Sequence, residues 1–298
     1  MKLKLHLSGS AEPFVSYLKN YLKIRESLLL EIDTTSRAFV AKTFTEDKSA
    51  IRFASITFDD ANISFVSDDG EAERGAARIK AGILIQLKKF IQIVERFGSD
   101  VDAEGKADFD IEVSYEPFAL KEGGTDFVST QIQFSSKILK MKIDGFRPTE
   151  IAYLPDDVFI NNIFNVSDAV RAEMTPAKIA DIIKISDIIK MDARRDALSF
   201  YVEGKTLYVK DVNISVKSSD NQKSDFVYTI GEVDHEPDYP ISLIVNREKF
   251  VKMVDKSEET FTVILGKYTV NGSGAVDRIL LDSTSNPTKI VIGAMKEN

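Results

Sequence analysis

The side chains that could do chemistry are few in this sequence. There is no cysteine, so disulfides, thiolate metal sites and cysteine nucleophiles are excluded, and a reducing compartment suits the chain. His6 and His235 are the only histidines, which leaves little room for a histidine-based triad or a His-rich metal site. The carboxylate pairs Asp59-Asp60 and Asp156-Asp157 could in principle hold two metal ions for phosphodiester cleavage, but each falls at a turn or strand end with no third ligand nearby in sequence. Asp100-Val101-Asp102-Ala103-Glu104-Gly105 opens like a calcium loop. The bidentate Glu should then stand at position 111, which is Ile111. A strand pattern follows instead of a helix, so this reads as a solvated acidic loop. His235 sits between Asp234 and Glu236 with no nucleophile in view, and Gly272-Ser273-Gly274 is too short to cradle phosphate. No catalytic constellation, metal site or cofactor motif emerges. The expectation is a protein that is not an enzyme and needs no cofactor.

The elements around these residues are more informative. The chain has 298 residues, 43% hydrophobic, enough for two domains with their own cores. In the first half, strand patterns fall at 2–7, 28–33, 37–43, 51–58, 62–66, 109–115, 127–134 and 138–143, with helical patterns at 12–25 and 84–97. The second half repeats this order. A strand at 165–172 precedes Met174-Thr175-Pro176, a Thr cap and first-turn proline for a helix reaching 191. A hairpin at 197–210 turns at Glu203-Gly204-Lys205, and strands follow at 213–217 and 226–232. A helix at 247–256 then leads to strands at 260–265, 276–282 and 289–293. The echo reaches single residues, because Lys89-Phe90-Ile91-Gln92-Ile93-Val94-Glu95 aligns with Lys249-Phe250-Val251-Lys252-Met253-Val254-Asp255. The reading is an α+β chain of two similar domains, 1–143 and 163–298, each with two helices packed on antiparallel sheets. The Pro-, Asp- and Asn-rich stretch 144–162 connects them.

Charge is distributed unevenly. The chain carries −8 overall, yet segments 12–25, 84–97, 175–190 and 246–256 together carry +7, leaving −15 for the rest. Helical projection sets Phe14, Val15, Leu18, Tyr21 and Leu22 opposite Ser16, Lys19, Asn20 and Lys23. It sets Leu84, Leu87, Phe90, Ile91 and Val94 opposite Lys88, Lys89, Gln92 and Arg96. In the third helix Ile179, Ile182, Ile183 and Ile189 leave Lys184 outward and Lys178 on the flank, diluted by Asp181 and Asp187. In the fourth, Phe250, Val251, Met253 and Val254 oppose Lys249, Lys252 and Lys256. A lysine-rich helix face is common, but four in matching places within an acidic chain point to one shared basic surface.

This order of elements, repeated across a connector, resembles the DNA sliding clamps. The match is most specific at Met174-Thr175-Pro176-Ala177-Lys178-Ile179-Ala180-Asp181-Ile182-Ile183-Lys184-Ile185-Ser186 and in the hairpin 197–210. Among clamps the chain looks closest to those of large tailed phages and more distantly resembles proliferating cell nuclear antigen. The acidic loop 98–108 has no counterpart in that pattern. The resemblance implies a homotrimeric ring with sheets outside and helices lining the hole. DNA would face Lys19, Asn20, Lys23, Lys88, Lys89, Gln92, Arg96, Lys178, Lys184, Lys249, Lys252 and Lys256. It also implies a pocket for short peptides of a DNA polymerase and other replication proteins, involving Ile151, Tyr153, Leu154 and Phe159 of the connector with Pro237, Tyr239, Pro240 and Pro287. A clamp loader is a further implied partner, and the implied function is processivity in DNA replication. Lysines on a ring wall attract phosphates without reading bases, and no aromatic residue lies on these faces to stack a single strand.

Two other readings compete with this one: a β-rich structural protein of a phage particle, and a metal-dependent DNA-processing enzyme using the acidic pairs. Residues 1–8 alternate Lys and Leu instead of forming the apolar stretch of a secretion signal, and no run of about 18 apolar residues appears. A cytoplasmic protein without a membrane partner is expected.

Overall fold

The computed structural model describes residues 2–66, 80–119, 125–145, 162–164, 166, 169–189, 197–212, 226–254, 258–269, 275–284 and 287–295. The chain divides into two compact units, Met1–Thr43 with Phe53–Leu154, and Phe44–Arg52 with Pro155–Asn298. Residues 44–52, which the sequence reading keeps in the first domain, thus belong to the second unit. The expected connector falls largely outside the described residues.

In the first unit, β1 (Lys2–Gly9) leads into α1 (Glu12–Lys19), then β2 (Ser27–Asp33), β3 (Ala38–Phe44) and β4 (Ala50–Thr57). After β5 (Ile63–Val66) and β6 (Lys80–Gln86) comes α2 (Leu87–Gly98), followed by β7 (Ala107–Ala119), β8 (Thr125–Ser135) and β9 (Lys140–Asp144). The strands run side by side as β3-β2-β6-β8-β7-β1-β5, and β9 also pairs β8. The register fixes the faces. Leu3, Leu5 and Leu7 alternate inward on β1, opposite Val113, Ile111 and Phe109 of β7. Both helices lay their apolar sides on this surface. Buried rings form a chain through the core: Phe39–Phe14 at 4.8 Å, Phe14–Phe90 at 6.4 Å, Phe90–Phe134 at 5.5 Å, Phe134–Phe97 at 5.7 Å and Phe97–Phe109 at 5.5 Å. The end of α2 meets the start of α1 at Gly98, where an added Cβ would lie 2.6 Å from that of Ala11.

The second unit repeats the pattern as β10 (Val170–Met174), α3 (Pro176–Ile189), β11 (Ala197–Glu203), β12 (Thr206–Val212), β13 (Val227–Glu232), β14 (Ser242–Asn246), α4 (Arg247–Val254), β15 (Phe261–Thr269), β16 (Ala275–Ser283) and β17 (Lys289–Gly293). Much of the pairing repeats that of the first unit, although β1–β5 and β6–β8 have no counterpart strand pairs among the described residues. β10 pairs β15 as β1 pairs β7, β11 pairs β14 as β2 pairs β6, and β16 pairs β17 as β8 pairs β9. The duplication read from the residues is therefore a duplication of architecture. Thr175 Oγ1 accepts from Lys178 N at 3.5 Å and Asn246 Oδ1 from Lys249 N at 3.0 Å, so α3 and α4 start on side-chain caps.

Two strands are missing from the sequence reading. Leu84 belongs to β6, paired with Leu29, not to the helix that starts at Leu87. Likewise β14 runs straight into α4. Before α2 a buried strand and an amphipathic helix share an apolar signal interrupted only by Gln86, which periodicity does not divide; Ile241–Val245 is a short apolar run with little alternation, set off from its helix by Asn246-Arg247-Glu248-Lys249. The first helix is also shorter than expected, closing at Lys19, and β10 is Val170–Met174; the last two positions of the expected fourth helix, 255 and 256, lie outside the described residues. The expected strand 213–217 lies outside the described residues.

Candidate nucleic-acid interface

Each helix buries one side and exposes the other. On α1, Phe14, Val15 and Leu18 are buried while Ser16 and Lys19 are exposed; just beyond it Asn20 is half-buried and Lys23 exposed. On α2, Phe90, Ile91 and Val94 are buried, and Lys88, Lys89, Gln92 and Arg96 face solvent. On α3, Ile179 and Ile182 are buried and Lys184 is exposed, with Lys178 and Ile183 half-buried. On α4, Phe250, Met253 and Val254 are buried, while Val251, Lys249 and Lys252 are half-buried. Lys256 lies outside the described residues, as does the side chain of Ile189.

The cations differ in how much charge they offer. Lys19 pairs with Glu95 at 2.7 Å, Arg96 with Asp100 at 3.0 Å, and Lys252 with Glu248 at 2.8 Å. Lys178 Nζ donates to the Glu173 carbonyl at 3.3 Å. Lys249 is bound to Asp47. Lys88, Lys89 and Lys184 have no partner among the described residues. The exposed pairs are each worth at most about 1 kcal/mol, so a passing phosphate can take the cation over. Exposed lysines and arginines of this kind, on each helix by itself, are suited to loose contact with phosphates and carry no base-reading geometry.

Asp47 shows the tightest local electrostatics. Partial burial works to raise its pKa. Hydrogen bonds from Lys249, Thr45 and Ser49 outweigh that and hold the carboxyl well below the usual carboxylate range. A depressed folded-state pKa stabilises the fold above the unfolded value of about 3.9 and loses that contribution as pH falls below it. Asp47→Asn is therefore expected to melt earlier than the parent at neutral pH, the gap narrowing from about pH 5 downward. A gap that is constant from pH 7 to 3 in thermal melts would contradict the pair.

The other sequence candidates are turn residues. Asp102 Oδ1 accepts the Glu104 and Lys106 amides at 3.0 and 2.8 Å, closing its own loop. Asp60 accepts from Thr57 Oγ1 at 2.7 Å, and Asp59 lies 3.4 Å from Arg37. Asp234 Oδ1 accepts the Arg171 amide at 2.9 Å and lies 2.9 Å from His235 Nδ1. Among the described residues no three metal-ligating side chains gather, and no helix is long and apolar enough to cross a membrane.

Of the expected peptide pocket, Ile151, Tyr153, Leu154 and Phe159 lie outside the described residues, as does the pair Asp156-Asp157. Half-buried Pro237 and Tyr239 and exposed Pro240 sit on the β13–β14 connection, and exposed Pro287 on the β16–β17 connection. A cleft of about 330 Å³ lies elsewhere, in the first unit, among Ala11, Val15, Lys19, Glu95, Gly98 and Val101.

The residues that sequence reasoning missed are at strand edges. β17 has a partner on its second side within its unit, where Gly293 N donates to Ser49 O at 2.8 Å. Its counterpart β9 pairs only β8 among the described strands, and β13 pairs only β12, although just past its end Val233 bridges Ala172 of β10. Of the six large apolar side chains exposed among the described residues, three lie on or beside these strands and a fourth on α3, the other two being Leu22 and Val101. Ile138 (76% exposed) and Met141 (36%) border β9, Val227 (56%) lies on β13, and Ile188 (69%) ends α3, whose Asp181 accepts from Tyr228 of β13 at 3.2 Å. A bare edge lined with apolar groups calls for a covering partner. The Asp187-Ile188-Ile189 run, which puts an isoleucine on the polar side of α3, was the visible signal.

With two helices on antiparallel sheets in each of two repeats, the chain has the fold of the DNA sliding clamps. Its similarities span the whole chain. A. fulgidus PCNA, in a structure with the C-terminal region of FEN-1 bound, matches with a TM-score of 0.57 at 10% identity, covering 99% of each chain. PCNA of Entamoeba histolytica matches with 0.57 at 10% identity over 98% of this chain and 99% of that one. The Helicobacter pylori beta clamp matches with 0.57 at 12% identity, and there the chain spans only 65% of its relative. No protein-family model matches the sequence, and no curated protein sequence does.

Proposed function

We propose that copies of this chain close head to tail into a ring around duplex DNA and tether replication proteins to it, acting as a sliding clamp without catalysis. The observation that carries this is the pair of unmatched edges. Within the second unit, β17 and α4 already receive the tip of the hairpin from the first repeat, through Ser49, Asp47 and Arg52, whose Nη1 donates to the Met253 carbonyl. The same arrangement between copies would seat β13 of one copy on β9 of the next. Such an interface joins two different surfaces, so it generates a closed ring or an open filament. Three copies supply six repeats, the number the clamp resemblance implies.

In such a ring the basic helix faces give sequence-independent, salt-sensitive hold, and the surplus acidity elsewhere on the chain steers DNA toward them. Peptide tethers of a polymerase and a loader are the partners this reading brings; the A. fulgidus relative is seen with the C-terminal region of FEN-1 bound. Light scattering across concentrations tests it. A discrete species near three times the 33.3 kDa chain mass supports the ring. A monomer at every concentration, or open-ended polymers, would contradict it.

A further inference from the structure

From the place of Glu95 on α2 we infer that it restrains the hold on DNA, by keeping the Lys19 ammonium from the phosphates, so that the helix faces of the first unit grip less firmly than their cations would allow. The inference rests on the clamp reading above. Of the twelve residues of α2, only Glu95 is acidic. It stands seven residues after Lys88, two turns on and about 20° around the helix, with Gln92 between them, so the three share one exposed stripe. A bare carboxylate in that stripe would repel the phosphates that Lys88 attracts. Here it is engaged, because Lys19 of α1 meets it at 2.7 Å, and both side chains stay in reach of solvent, 51% exposed for Lys19 and 44% for Glu95.

Packing holds the two helices in place for this pair. Phe14 of α1 and Phe90 of α2, both buried, meet edge to face at 6.4 Å, and the close approach of Gly98 to Ala11 leaves no room for a side chain between them. The pair also differs in kind from the other exposed ones. Arg96–Asp100 and Lys252–Glu248 each join residues four apart, whereas Lys19–Glu95 bridges two helices and takes its carboxylate from the stripe of Lys88. A phosphate that takes Lys19 leaves Glu95 bare beside it, and repulsion between the two anions offsets the new contact. Lys88 and Lys184, with no partner among the described residues, give their charge in full.

The test measures binding of the full chain to a linear duplex across salt, for the parent, Glu95→Gln, Lys19→Ala and the double variant. Glutamine keeps the shape of an exposed side chain, so fold and assembly should hold, which circular dichroism and sedimentation check. Glu95→Gln is expected to bind about fivefold tighter at low salt, the order of one exposed ion pair. The dependence of log K on log salt should steepen by about 0.9 for each Lys19 that takes up a phosphate. In the Lys19→Ala background the same change should leave that slope where it was, since no cation is released. An unchanged slope for Glu95→Gln would overturn the restraint alone, as would equal steepening with and without Lys19. A parent whose affinity for duplex does not depend on salt would overturn the DNA-facing helices and the restraint together.

Discussion

Ile138→Asp with Met141→Asp is expected to leave the chain folded and monomeric, and so is Ile188→Asp with Val227→Asp. All four side chains are exposed in the single chain, so the substitutions should cost little stability, within about 0.5 kcal/mol each. Covered by another copy, each aspartate would become a buried, unpaired carboxylate, a defect of about 3–5 kcal/mol. Even one such defect weakens association by about a hundredfold or more, since about 1.4 kcal/mol is a factor of ten. The mixture is the sharper test. The first variant keeps a sound β13 edge and the second a sound β9 edge, so an equimolar mixture should form dimers and stop there. Light scattering should show about twice the chain mass in the mixture and the chain mass in each variant alone. Rings from either variant alone, or no dimer on mixing, would remove these edges from the assembly.

The second large effect concerns DNA. Lys88→Glu with Lys184→Glu reverses exposed charges that have no partner among the described residues, one on α2 and one on α3. Neither change touches a buried side, so the ring should assemble as before. Its affinity for a linear duplex should fall at least about tenfold at low salt, alike for every sequence, and the dependence of log K on log salt should flatten by about 0.9 for each phosphate no longer neutralised. An unchanged salt slope would place DNA elsewhere. Reversing Lys19 or Lys252 should do less, because those ammonium groups already share an exposed carboxylate in the free protein.

The repeat and the polarity of its helices were legible because each helix lies on a sheet by one face, so its sequence must alternate at the helical period. Phe90 and Phe250 show it most plainly, each buried one residue after an exposed or half-buried lysine. Strand β6 was hidden because Ile83-Leu84-Ile85 meets Leu87 of the helix across Gln86 alone, and β14 because Ile241–Val245 is a short apolar run with little strand alternation. Which lysines are engaged was not legible, since Lys249 meets Asp47 from about two hundred positions away and nothing local marks the pair. The bare edges left one trace, Ile188 on the polar side of α3, and were otherwise silent. Met141 and Val227 sit in ordinary alternating strands, and only the order of strands shows that nothing in the described chain covers them.

Retention on closed DNA separates encirclement from ordinary binding. The ring is loaded on a nicked circular duplex, washed at salt high enough to strip electrostatic binders, and the DNA is then cut once. A ring that encircles DNA should survive the wash on circles and be lost on cutting, because only topology holds it. Loss in the wash on circles, or persistence after the cut, would contradict encirclement and with it the account of this chain as a sliding clamp.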